Sequence, residues 1–91
     1  MNQQKIFYRM VEGAMNEFRD LYYPNARVTN SARERVLGLR MKDSGITVDT
    51  REREVVCCWD SMINPTEKLV SHLERTLSCK FEPIYLGCGD P

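Results

Sequence analysis

Four cysteines and one histidine are the side chains here with the widest chemical range: metal ligation, thiolate attack and proton transfer. Zinc ligands usually come in two pairs, each spaced by roughly two to four residues. Cys57 and Cys58 are instead adjacent in the apolar run Val55–Trp59. Neighbouring side chains on a strand leave on opposite faces, so one strand does not aim both thiols at one ion. His72 and Cys79 are seven positions apart, nearly two helical turns, and can share a face. Cys57, His72, Cys79 and Cys88 are therefore weak metal candidates, set against the plainer reading of buried or incidental thiols. A Cys/His nucleophilic pair needs the same His72, which falls just off an apolar helical stripe and reads as part-exposed and structural. Glu52 and Glu54 alternate with Arg51 and Arg53, the pattern of a self-paired, solvated turn rather than an acid–base dyad. No glycine-rich loop precedes a helix in phosphate-binding register. The expectation is no enzyme, no cofactor and no bound metal, with a small metal-dependent or thiol enzyme as the third-ranked reading.

Charge placement is the remaining chemical signal. Arginine outnumbers lysine nine to four, and guanidinium suits planar, two-point contacts to carboxylate or phosphate. Residues 26–42 hold Arg27, Arg33, Arg35, Arg40 and Lys42 against Glu34 alone, a local excess of four positive charges. Over the whole chain thirteen basic residues offset thirteen acidic ones, which removes the general polyanion binder as the simplest reading. The 91 residues suffice for one small domain, and 42% apolar content with zero net charge excludes a disordered class. No apolar run is long enough for a membrane span, and the N-terminal segment, broken by Arg9 and Glu12, does not resemble a signal peptide. Asn64-Pro65-Thr66 carries the proline that bars glycosylation, and Gly89-Asp90-Pro91 after Cys88 does not fit a prenylation signal. Reduced thiols in the cytoplasm follow as the expectation.

The elements that must position these residues can be read from periodicity. From Gln3 to Tyr23, Phe7, Met10, Val11, Ala14, Met15, Phe18, Leu21 and Tyr22 recur at helical spacing, and Pro24 ends the pattern. Residues 25–34 read as a loop. From Arg35 the period becomes two: Leu37, Leu39 and Met41 share one face, Asp43-Ser44-Gly45 makes a hairpin turn with glycine free to take positive φ, and Ile46 and Val48 follow. Glu54–Trp59 is a third strand, apolar on both faces and so expected to be central or doubly covered. Asn64-Pro65-Thr66-Glu67 has the form of a helix start, Asn capping and Pro at the first helical position, with Leu69, Val70, Leu73 and Leu77 as the apolar stripe. The tail around Pro83 suits a short edge strand. The sequence predicts one α+β domain over 1–91, in the order α-β-β-β-α with a possible final strand. Its antiparallel sheet is packed by two helices, and residues 1–4 and 87–91 form frayed ends.

The expected function is a non-enzymatic protein-binding module: a small adaptor, inhibitor or regulatory protein of the kind viruses and mobile elements encode. Its contact residues are Arg27, Arg33, Arg35, Arg40, Lys42, Tyr8, Tyr23 and Tyr85, since Arg and Tyr are enriched at interface hot spots. The alternative is a double-stranded nucleic-acid binder gripping phosphates with segment 27–42. The α-β-β-β-α order parallels double-stranded-RNA-binding domains in element order alone: the last helix opens Asn64-Pro65-Thr66-Glu67-Lys68 without their basic cluster. A domain of this size is marginal alone, so a homodimer through a strand edge or the first helix is also expected.

Overall fold

In a computed structural model describing residues 2–31 and 33–86, two helices pack on one face of a five-stranded mixed sheet. The chain runs α1 (Gln3–Tyr22), β1 (Arg27–Asn30), β2 (Val36–Arg40), β3 (Gly45–Asp49), β4 (Glu54–Cys57), a 3₁₀ turn (Asp60–Met62), α2 (Ile63–Leu77) and β5 (Glu82–Tyr85). The strands lie in sequence order; β1 to β4 form an antiparallel meander, and β5 joins β4 in parallel. Parallel neighbours cannot be linked by a tight turn, and α2 supplies the crossover. No helix in the described residues is long and apolar enough to cross a membrane.

The α+β class and the two helices on a sheet agree with the sequence reading. Two strand features differ. Residues 27–30 form an edge strand where a loop was expected, because Arg-Val-Thr-Asn has a single apolar residue and an edge needs little burial. The sheet is mixed, because β5 returns beside β4. Pro83 sits in that edge strand, where a missing N–H is tolerated.

α1 begins at Gln3, with the Asn2 side chain accepting a hydrogen bond from Gln4 N, and Gln4 Nε2 donates to Thr50 Oγ1 at 3.0 Å. Expected fraying at 1–4 is thus replaced by a cap from Asn2 onward; Met1 and residues 87–91 lie outside the described residues. The buried face of α1 is Tyr8, Val11, Ala14, Met15 and Phe18. It meets Leu37, Leu39, Ile46, Val48, Val55 and Cys57 from the sheet and Leu69 and Leu73 from α2. β4 is interior to the sheet, but only Val55 and Cys57 are buried; Val56, on the face without helices, is half-exposed. α2 starts two residues earlier than Pro65 suggested, after the 3₁₀ turn, and Thr66 Oγ1 donates to Met62 O at 2.6 Å. Pro65 still falls in the first turn, where N–H groups have no helical partner. The β2–β3 turn uses no positive φ at Gly45. Glycine is required there because a Cβ would lie 2.9 Å from the Leu39 carbonyl oxygen.

Candidate functional site

Folding the basic segment into the β1–β2 hairpin splits its cations between two ends. Antiparallel register puts Arg27 beside Arg40 at the open end and Asn30 beside Leu37 next to the connecting loop. Three residues of strand, about 10 Å, separate these pairs.

At the loop end Arg35 is held by a carboxylate. Its Nε lies 3.2 Å from each oxygen of Asp49, Nη2 is 3.1 Å from Oδ2, and Glu52 is 3.9 Å away. Asp49 also accepts from the backbone N–H groups of Arg51 and Glu52 at 3.0 Å. Burial pushes the Asp49 carboxyl up, but the Arg35 hydrogen bonds, the two backbone donors and the Arg35 charge together hold it below the ordinary carboxylate range. The hydrogen bond to Asp49 and its charge raise the Arg35 guanidinium. Nearby, Glu34, in left-handed backbone geometry, is flanked by Arg9 at 3.1 Å and Lys5 at 3.8 Å. A cavity of about 620 Å³ at this end is lined by Arg33, Arg35 and Arg51, but also by Glu34 and Asp49.

The open end is built differently. A groove of about 470 Å³ runs between the end of α1 and the β1–β2 pair, lined by Tyr22 through Arg27 and by Arg40, Met41 and Lys42. Its lining, among the described residues, holds three cations and no carboxylate. Among the described residues none of Arg27, Arg40 and Lys42 has an ion-pair partner. One wall is aromatic. Tyr22 and Tyr23 flank Phe18, with ring centroids 5.2 and 5.6 Å from it, and Lys68 of α2 lies over both tyrosine rings at 5.1 and 5.8 Å. Pro24 ends α1 and turns the chain, with Ala26 N donating to Tyr23 O at 2.9 Å, so the two rings and β1 border one groove. A cationic floor beside rigid, half-exposed rings suits a ligand that is anionic and carries apolar or planar groups.

Of the eight contact residues expected from sequence, Tyr23, Arg27, Arg40 and Lys42 converge here. Arg33 and Arg35 lie at the opposite end of the hairpin. Tyr85 lies on the far edge strand, where its hydroxyl donates to Glu67 at 3.3 Å; burial, then the Glu67 charge, raise its pKa. Tyr8 requires a correction: it is fully buried, its hydroxyl accepts from Ser31 N at 3.1 Å, and it belongs to the core. Tyr22, which the helical pattern placed in the core stripe, is 45% exposed and lines the groove. The doublet Tyr22-Tyr23 directly before Pro24 was the available signal: two large rings at a helix end cannot both turn inward.

His72 is buried between the helices rather than part-exposed. Its ring packs on Phe18 at 5.5 Å, and Nε2 lies 3.1 Å from Glu17 Oε1 but out of line for a hydrogen bond. Cys57 donates from Sγ to Trp59 O at 3.2 Å, and Cys57, Cys58 and Cys79 form no disulfide among the described residues. Among the described residues no three His, Cys, Asp or Glu side chains come together as metal ligands; Cys88 lies outside those residues. No protein-family model, curated protein or solved structure matches the chain.

Proposed function

We propose that this chain is a small non-enzymatic protein-binding module, an adaptor, inhibitor or regulatory protein of the reducing cytoplasm, whose groove takes an acidic segment of its partner. The observation that carries this reading is the groove lining: Arg27, Arg40 and Lys42 beside Tyr22 and Tyr23, with no carboxylate among them. Arg and Tyr are the residues on which interface energy concentrates. Unpaired cations at the end of a sheet also bias encounter toward acidic partners. Duplex nucleic acid fits less well, because the basic segment does not act as one strip: Arg35 is already engaged by Asp49. That leaves three converging cations, too few for the extended run of phosphate contacts that drives duplex affinity.

Salt dependence separates the two readings. A glutamate-rich peptide carrying one phenylalanine is titrated against the protein, and a duplex RNA in parallel, across a range of salt. The expected result is peptide binding near physiological salt, with amide shifts centred on residues 22–27 and 40–42 and a large loss in Tyr22→Ala. Duplex binding at that salt, with a log–log slope of about −3 to −4.5, would mean that all five cations release counterions and would overturn the proposal.

A further inference from the structure

Among the described residues the sheet has two free edges, and they are not equivalent. There β5 bonds to β4 alone, with Glu82 N donating to Arg53 O and Leu86 N to Cys57 O. Alternation then turns Pro83 and Tyr85 outward. Pro83 has no N–H, so this edge offers an incomplete row of donors. β1 contains no proline. Thr50 N donates to Arg35 O and Met41 N to Ser44 O, closing the β2–β3 ladder through the odd-numbered residues of β2. The even ones, Gly38 and Arg40, therefore bond toward Thr29 and Arg27, and Val28 and Asn30 direct their backbone N–H and C=O groups away from the sheet. Arg27, Thr29 and Asn30 are exposed, and no bulge interrupts the register with β2. Such an edge is a template for one more strand.

Charge selects the occupant. Arg27 marks one end of the edge and exposed Arg33 lies beyond the other. A second copy added antiparallel would set Arg27 of each chain toward the other's Arg33, with Glu34 alongside already flanked by Arg9 and Lys5. An acidic strand meets the opposite sign at the Arg27 end, where the described lining of the groove holds no carboxylate.

We infer that the acidic segment of the partner docks as an added β-strand on β1, bonding to Val28 and Asn30 and running past Arg27 into the tyrosine-walled groove. This rests on the groove reading above and specifies how its ligand is held.

The test uses the intact chain and a short alternating Glu–Val peptide, together with two copies of that peptide, one N-methylated at its valines and one at its glutamates. In a strand, alternate N–H groups face the same edge, so methylation removes the donors to β1 in one copy only. One methylated copy should lose at least tenfold in affinity while the other keeps most of it. The Val28 and Asn30 amides should gain at least tenfold hydrogen-exchange protection on binding, with Tyr85 unchanged. Equal binding of all three peptides, with shifts confined to residues 22–27 and 40–42, overturns strand addition and leaves the groove reading standing. Binding that is insensitive to Arg40→Glu overturns the groove reading and this inference with it. Concentration-dependent protection of Val28 and Asn30 without peptide assigns the edge to a second copy and overturns the acidic occupant.

Discussion

At the loop end of the β1–β2 hairpin, Arg35 is gripped through two guanidinium nitrogens by Asp49, itself anchored by two backbone donors. At the open end, Arg27, Arg40 and Lys42 line a groove with no acid among the described residues. The residue types are the same, and five residues of extended chain, about 16 Å, separate Arg35 from Arg40. What differs is what the sheet places beside them: β3 presents Asp49 across from Val36 at one end and Gly45 across from Arg40 at the other. A guanidinium already paired to carboxylate is spent on the fold, whereas one left with water remains available to a ligand. The same positive charge is paired within the fold at one end and left open to a ligand at the other.

Matched charge reversals test this contrast most directly. Arg40→Glu should weaken acidic-peptide binding by at least tenfold while leaving the thermal midpoint almost unmoved, since Arg40 has no ion-pair partner among the described residues. Arg35→Glu should do the reverse, lowering the thermal midpoint by placing a third carboxylate beside Asp49 and Glu52 while sparing affinity. Titration calorimetry and thermal melts on the two variants decide it, and equal losses of affinity would erase the distinction.

Asp49→Ala should cost about 1–2 kcal/mol of stability, because the Arg51 and Glu52 amides lose their acceptor and the β3–β4 turn loosens. Urea unfolding measures that loss. Peptide affinity at the open end should stay within twofold, since the groove shares no residue with this turn.

The smallest effect is on pH dependence. The Asp49 carboxyl is held below its ordinary range in the folded chain, so its contribution is present above the unfolded value of about 4 and is lost as pH falls through the folded value. Glu12 acts in the same direction: the Asn30 side-chain donor lowers it first, burial opposes, and Arg9 lowers it further. Urea midpoints between pH 6 and pH 2 should therefore fall on acidification, and Asp49→Asn should flatten part of that fall. An unchanged slope in Asp49→Asn would show that the loop-end pairing does not stabilise the fold.

Much of the architecture was legible because it is written in local periodicity. Ile46 and Val48 alternate with exposed or half-exposed neighbours as a one-sided strand must, and Leu69, Val70 and Leu73 follow the helical period onto the core. β1 was not legible, because a polar edge strand buries too little to leave a pattern. α1 shows where periodicity runs out. Its 3.6-residue repeat admits a face through Tyr8, Val11, Met15 and Phe18 and a flanking one through Met10 and Leu21. Packing chose the first, leaving Met10 and Leu21 49% and 63% exposed.

By itself the sequence determined the charge excess of segment 27–42, the two helices, the β2–β3 hairpin and the chain break at Pro24, each a property of residues close together in the chain. Only the tertiary structure decided which cations are paired, which tyrosines are buried, and that Tyr22, Arg27, Arg40 and Lys42 border one groove. Those are relations between residues brought together by strand register and helix packing. Asp49 neutralises Arg35 from fourteen positions away because β2 and β3 pair with Leu37 opposite Val48, and a shift of one residue would give every side chain of β3 a new partner and the opposite face.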